Sequence, residues 1–173
     1  MDTEDGHEPL TLYLDVDGVV TSTGYQERAG KDHLDPACMA IVAGLVRDLP
    51  ARVVVSSTWR VDDCRPALVE GGLPEGCFHD DWKTAILPTS RDPATGDMLP
   101  AEDASRGYEV TEHARRNGIS RYLVLDDVDV GPAHEGHHVR PDPGTGMTRA
   151  DDRHARELVG NMAVDSGPMR SVA

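Results

Sequence analysis

Short apolar runs of four or five residues alternate along this chain with stretches of helical periodicity, and that alternation limits the fold more than any other feature. Leu10 to Leu14, Arg52 to Val55 and Tyr122 to Leu125 mix aliphatic, β-branched and aromatic residues and stop abruptly at polar ones, as strands do. A short strand is expected at Cys77-Phe78 and a fifth around Val139. Between them, Asp35-Pro36 opens a helix as N-cap and first helical residue. Ile41, Val42, Leu45, Val46 and Leu49 share one face of it, and Pro50 ends it. Asp62 or Asp63 caps a short helix to Glu70, closed by Gly71-Gly72, and Ser105 caps another that stops at Asn117-Gly118. The capping box Thr148-Arg149-Ala150-Asp151 opens a last helix to about Met162. Thr21 to Lys31 and Asp80 to Asp103 read as irregular loops.

Strands separated by helices need right-handed crossovers. The expected class is therefore α/β: a Rossmann-like three-layer α/β/α sandwich around a central parallel sheet of about five strands. A chain of 173 residues suits one domain, expected over residues 10–163, with poorly ordered tails at 1–9 and 164–173. No run approaches the ~18 apolar residues of a membrane span, and the acidic start does not resemble a signal peptide. Three cysteines without CxxC spacing fit buried thiols in a reducing compartment, so a cytoplasmic location is expected. The 31 acidic residues against 17 basic ones, a net charge of −14, oppose a long nucleic acid or an anionic membrane as partner. A small anionic substrate stays open, provided that a positive group sits in its site.

Ligands of parallel sheets bind beyond the carboxyl ends of the strands. That rule gathers Asp15 and Asp17 from the first strand, Asp126, Asp127 and Asp129 from the fourth, and the hydroxyls of Ser56-Ser57-Thr58 from the second. Asp15-Val16-Asp17-Gly18 alone could be ordinary Asp-Gly turn chemistry. With the second acidic group beside it, the carboxylates repel, and a divalent cation resolves the repulsion. An all-oxygen set of this kind suits Mg2+.

At this point the sequence resembles a known family. Leu12 to Val20, Val53 to Ser56 and Leu123 to Asp129 are similar to motifs I, II and IV of the haloacid dehalogenase (HAD) superfamily. With Ser57-Thr58-Trp59-Arg60, Arg106-Gly107 and the late stretch from Val139-Arg140-Pro141-Asp142 to Gly146-Met147-Thr148, they most resemble the small HAD domain of Swiss-army-knife RNA-repair proteins. The resemblance implies Asp15 as nucleophile, forming an aspartyl-phosphate, and Asp17 as general acid and then general base. Mg2+ would be held by Asp15, Asp17 and Asp127, with Asp126 or Asp129 completing its surroundings. Ser56, with Ser57 in reserve and Gly18 beside it, would meet the phosphoryl oxygens. The motif III cation is either Arg106, which opens the helix feeding the fourth strand, or Lys83 in the irregular stretch; an arginine would bring a planar fork instead of a point charge. Trp59 and Arg60 are either substrate contacts or, respectively, a packed tryptophan and a solvated arginine. His134, His137 and His138 lack the paired spacing of a zinc site and read as loop and strand residues.

Neither the segment between motifs I and II nor the one between II and III has room for a full cap domain. A capless or minimally capped HAD fold is expected, with the two irregular loops as its only lids and a homodimer as a second way to close the site. The leading expectation is a Mg2+-dependent phosphomonoester hydrolase acting on a small phosphorylated metabolite or nucleotide. Two alternatives stand beside it: a 3′-phosphatase that heals nucleic-acid ends, and a non-catalytic Mg2+- or phosphate-binding module.

Overall fold

The apolar runs become β1 (Thr11–Leu14), β2 (Arg52–Val55), β3 (Phe78–Lys83), β4 (Tyr122–Leu125) and β5 (His138–Val139). The helices are α1 (Thr23–Ala29), α2 (Pro36–Asp48), α3 (Arg65–Glu70), α4 (Glu102–Asn117) and α5 (Arg149–Asp165). In this computed structural model, which describes residues 8–86, 94–95 and 102–165, the strands form one parallel sheet of order β3-β2-β1-β4-β5. No helix among the described residues is long and apolar enough to cross a membrane.

Side chains alternate across the sheet because successive residues of a strand point to opposite faces. Leu12, Leu14, Val53, Val55, Leu123 and Leu125 pack into the larger core with Met39, Val42 and Leu45 of α2, Leu68 of α3 and Val159 of α5. Tyr13, Val54 and Val124 turn the other way, onto Val110 and Ala114 of α4. Both faces are therefore covered, the condition under which parallel strands read as unbroken apolar runs. The result is a Rossmann-like three-layer α/β/α arrangement. β1 lies centrally, pairing Leu14 with Val55 on one side and with Leu125 on the other. The chain winds to β2 and β3 on one side of β1 and to β4 and β5 on the other. The switch point between β1 and β4 thus opens where β1, β2 and β4 end.

Four local expectations are corrected. The Thr21 to Lys31 loop contains α1, capped by Ser22, whose side chain accepts the Tyr25 N–H. Its first donors are satisfied from afar: the Thr23 and Gly24 N–H groups donate to the Pro143 and Gly144 carbonyls. The third strand runs on from Phe78 to Lys83, across a register irregularity against β2, instead of stopping at Cys77-Phe78. Lys83 therefore ends a strand and is not part of an irregular excursion. The N-cap of α3 is Cys64; Asp63, just outside, accepts the Arg65 N–H with its carboxylate. Ser105 lies inside α4, which begins at Glu102. At the edge of the expected N-terminal tail, the Glu8 carboxylate accepts the Ser120 N–H at 2.8 Å. Most of the remaining irregular stretch, residues 87–93 and 96–101, lies outside the described residues, as do 1–7 and 166–173.

Candidate active site

The switch point fixes Asp15 first. Its N–H continues the ladder onto the Leu125 carbonyl, and the Ser56 N–H does the same onto Leu14, so the chains leave the sheet side by side. The turn after Asp15 is tight: the N–H groups of Val19, Val20 and Thr21 all point at the Val16 carbonyl. Gly18 has φ +78, a left-handed conformation that a side chain disfavours. A Cβ there would lie 2.5 Å from Asp127 Oδ2, so only glycine lets that carboxylate lie against the turn. The Gly18 N–H itself donates to the Thr21 carbonyl at 2.7 Å. Gly18 therefore contributes space, and its N–H is engaged within the turn.

Asp15, Asp126 and Asp127 each offer an oxygen within 4.8 Å of the others. Asp15 is 5% exposed and Asp126 fully buried, which is costly for carboxylates unless charge is compensated. Arg106, from the first turns of α4, supplies part of that compensation. Its Nη1 lies 3.0 Å from Asp15 Oδ1 and 3.0 Å from Asp126 Oδ2, and it donates to the Ser56 carbonyl as well. Burial drives the Asp15 carboxyl well above the ordinary carboxylate range, the Asp126 charge adds to this, and Arg106 opposes both. Burial raises Asp126 too, again against Arg106. Among the described residues Arg106 pairs with two of the three carboxylates, so the cluster stays net negative when ionised, the condition that favours a bound dication. The residues therefore fit a hard dication, with Asp15, Asp126 and Asp127 as its oxygen ligands.

A cavity of about 380 Å³ stands over this cluster; Asp15, Asp17, Gly18, Arg106 and Asp127 all line it. Asp17 Oδ1 accepts the Thr21 hydroxyl at 3.1 Å and the Trp59 indole N–H at 3.3 Å. Trp59 thus sits beside the carboxylate. Ser56 is buried and does not line the cavity; the Thr84 hydroxyl donates to its own over 3.5 Å. Ser57 is fully buried and its hydroxyl caps the 3-10 turn Thr58–Val61.

Ser57, Lys83, Arg60 and Asp129, all predicted from sequence, do not line this cavity. Lys83 donates from Nζ to the Arg60 carbonyl and lies over the Trp82 ring. Arg60 is neither solvated nor open to substrate: it is buried and paired with Glu109 at 2.8 Å. Asp129 accepts the Gly131 N–H and borders a separate hollow with Pro132 and Glu135. The histidines have structural partners: His134 Nδ1 meets the Tyr122 hydroxyl, and His138 Nε2 lies 2.9 Å from the Asp126 carbonyl. Sequence reasoning missed Thr21, whose only signal was a hydroxyl four residues after Asp17, and the Thr23 and Gln26 wall of the cavity, which comes with α1. It also missed Glu109, one of four acids on α4, which nothing nearby in sequence sets apart.

The family described as "HAD domain in Swiss Army Knife RNA repair proteins" matches residues 11–151, which span every element from β1 into the start of α5. No curated protein and no solved structure matches the chain.

Proposed function

We propose that this chain, which belongs to the HAD family of Swiss Army Knife RNA repair proteins, is a Mg2+-dependent phosphomonoester hydrolase working through an aspartyl-phosphate on Asp15. The observation that carries the reading is the buried Asp15 carboxylate at the sheet's switch point, 3.0 Å from the Arg106 guanidinium and within reach of Asp126 and Asp127. Such a carboxylate attacks only when ionised. Arg106 favours the ionised form and can receive a phosphoryl oxygen arriving opposite Asp15. Bound Mg2+ would supply charge neutralisation between the nucleophile and the phosphoryl group, held by Asp15, Asp126 and Asp127 and by the main chain at Asp17.

In the first step an Asp15 oxygen bonds to phosphorus and the bond to the leaving oxygen breaks. Asp17, held by Thr21 and Trp59, gives its proton to that oxygen. In the second step Asp17 takes a proton from water, the water oxygen bonds to phosphorus, and Asp15 and inorganic phosphate are released. An acid at the position of Asp17 supports hydrolysis of the acyl-phosphate, because both proton transfers need it.

A small phosphorylated metabolite or nucleotide suits the −14 charge and the 380 Å³ cavity. A phosphorylated RNA end is the second reading, favoured by the family to which the domain belongs. The test is release of phosphate from a panel of nucleoside monophosphates, sugar phosphates and a 3′-phosphorylated oligonucleotide, with Mg2+ and with EDTA. Turnover with Mg2+ alone, together with trapping of Asp15 by beryllium fluoride, is expected. Absence of both on every monoester refutes the hydrolase reading and leaves a binding module.

A further inference from the structure

We propose that the buried Arg60–Glu109 ion pair is a positioning device for Arg106, a role that rests on the hydrolase reading for its catalytic consequence. Glu109 lies three residues after Arg106 on α4. Arg60 Nη2 is 2.8 Å from Glu109 Oε2, with side-chain exposures of 4% and 8%. Arg60 Nη1 donates to the Ser57 carbonyl at 2.6 Å, while Arg106 Nη1 donates to the carbonyl of Ser56. Two consecutive carbonyls at the end of β2 are thus each held by a guanidinium, and α4 joins the two guanidiniums through Glu109. Lys83 holds the carbonyl of Arg60 itself, and Arg60 Nη2 reaches the Ala85 carbonyl at 3.5 Å. The ends of β2 and β3 and the middle of α4 therefore meet at one side chain.

Stability alone does not account for this arrangement. A buried ion pair is commonly replaced by apolar side chains of similar volume at no loss. Here Arg60 Nε is in addition buried without an acceptor among the described residues, an arrangement that well-satisfied interiors rarely keep. Arg60 does not line the cavity, so it acts through another residue. Arg106 is sensitive to placement, because its single Nη1 serves Asp15, Asp126 and the Ser56 carbonyl at once.

The test compares, in the full chain, Arg60→Lys and the double variant Arg60→Met/Glu109→Met, each with and without Arg106→Ala. Hydrolysis of p-nitrophenyl phosphate, thermal unfolding and the NMR signal of the Arg106 guanidinium are read. The double apolar variant is expected to unfold within a few degrees of the unsubstituted chain. Its kcat is expected to fall about a hundredfold at nearly constant KM, the scale of an ångström-level misplacement. Combined with Arg106→Ala, the same substitutions should add no further loss, since the path runs through Arg106. The Arg106 guanidinium signal should move to a solvent-like position in the double variant. Arg60→Lys keeps the charge and should shift the signal in the same direction, which covers a double variant that fails to fold. A double variant with unchanged kcat and signal overturns the proposal, as do losses that add fully to that of Arg106→Ala. If the unsubstituted chain proves inactive, the hydrolase reading fails separately, and the Arg106 signal alone decides the positioning role.

Discussion

Replacing Arg106 with methionine removes a guanidinium that touches both Asp15 and Asp126, and the structure sets the size of the effect. Each contact is 3.0 Å; with an effective dielectric of about 20, a unit pair at that distance is attracted by roughly 5.5 kcal/mol before desolvation. Desolvation of the guanidinium offsets much of this, and removing one partner of a buried pair costs about 3–5 kcal/mol. The loss should depend on pH. Burial raises both carboxyl groups and Arg106 opposes the rise, so without it they bind protons still more tightly in the folded state. A folded state that binds more protons than the unfolded one loses stability as pH rises. In either chain this loss begins at the ordinary carboxylate value of about 4; the two chains diverge only above the raised folded values of the unsubstituted one, where Asp15 and Asp126 ionise if Arg106 is present and stay protonated if it is not. Urea unfolding in EDTA should therefore show an Arg106→Met deficit that is smaller at pH 5 than at pH 8, growing by up to ~1.4 kcal/mol per pH unit for each proton involved. Mg2+ should narrow it, and kcat should fall about 10²–10³-fold, as for loss of a transition-state donor. A deficit that is absent, or equal at both pH values, would refute the electrostatic account of the cluster.

Four substitutions test single residues. Gly18→Ala should destabilise the chain by about 1–2 kcal/mol for its left-handed backbone. Because the new Cβ displaces Asp127, it should also weaken the Mg2+-induced rise in melting temperature. His113, packed against Tyr13 and Asp81, and His134, held between Tyr122 and Gly107, have pKa values lowered by burial. The unfolded chain takes up these protons first as pH falls below about 6.5, so stability drops by up to ~1.4 kcal/mol per pH unit for each. His113→Gln, unfolded in Mg2+ buffer at pH 7.0 and 5.5, should show the shallower dependence. Asp15→Asn should abolish turnover, whereas with 32P-labelled p-nitrophenyl phosphate, whose leaving group departs without a proton, Asp17→Asn should slow release of the acyl-phosphate so that label stays on the protein after a single mixing.

The strands and the acids at their ends were legible because the relevant order is local. A run such as Leu123-Val124-Leu125 buried on both faces can be little else than a central parallel strand, and topology alone then carries Asp126 to Asp15. What was not legible depends on distant partners. The Thr23 to Ala29 segment contains Gly24 and too few apolar residues to signal a helix, and its first N–H groups are satisfied by carbonyls at Pro143 and Gly144. From Asp80 onward the strand Phe78 to Lys83 reads as the start of an irregular loop, because an edge strand with a register irregularity need not alternate. Arg60 follows the motif II hydroxyls and looks available to substrate; only the fold brings Glu109, on another helix, against it.

The acidity of the chain bears on substrate length more than on substrate sign. On the proposed hydrolase reading, the Arg106 guanidinium beside Asp15 and Asp126 and a dication on the three-Asp cluster would receive a phosphate locally despite a net charge of −14. Farther out, the cavity wall contributed by Thr23, Gln26, Thr58 and Pro143 is uncharged, which suits a neutral leaving group with hydroxyls or ring nitrogens. If an RNA end is the substrate, recognition should then be confined to its last nucleotide. Turnover of a 3′-phosphorylated oligonucleotide should equal that of the corresponding 3′-mononucleotide, and kcat/KM should change little between 50 and 200 mM salt (on the order of the range that exposes phosphate contacts). Each additional phosphate gripped by a basic side chain would instead add about −0.7 to the slope of log affinity against log salt. A slope of several such increments would mean that the chain follows the backbone of its substrate, and the argument from charge to substrate size would fall.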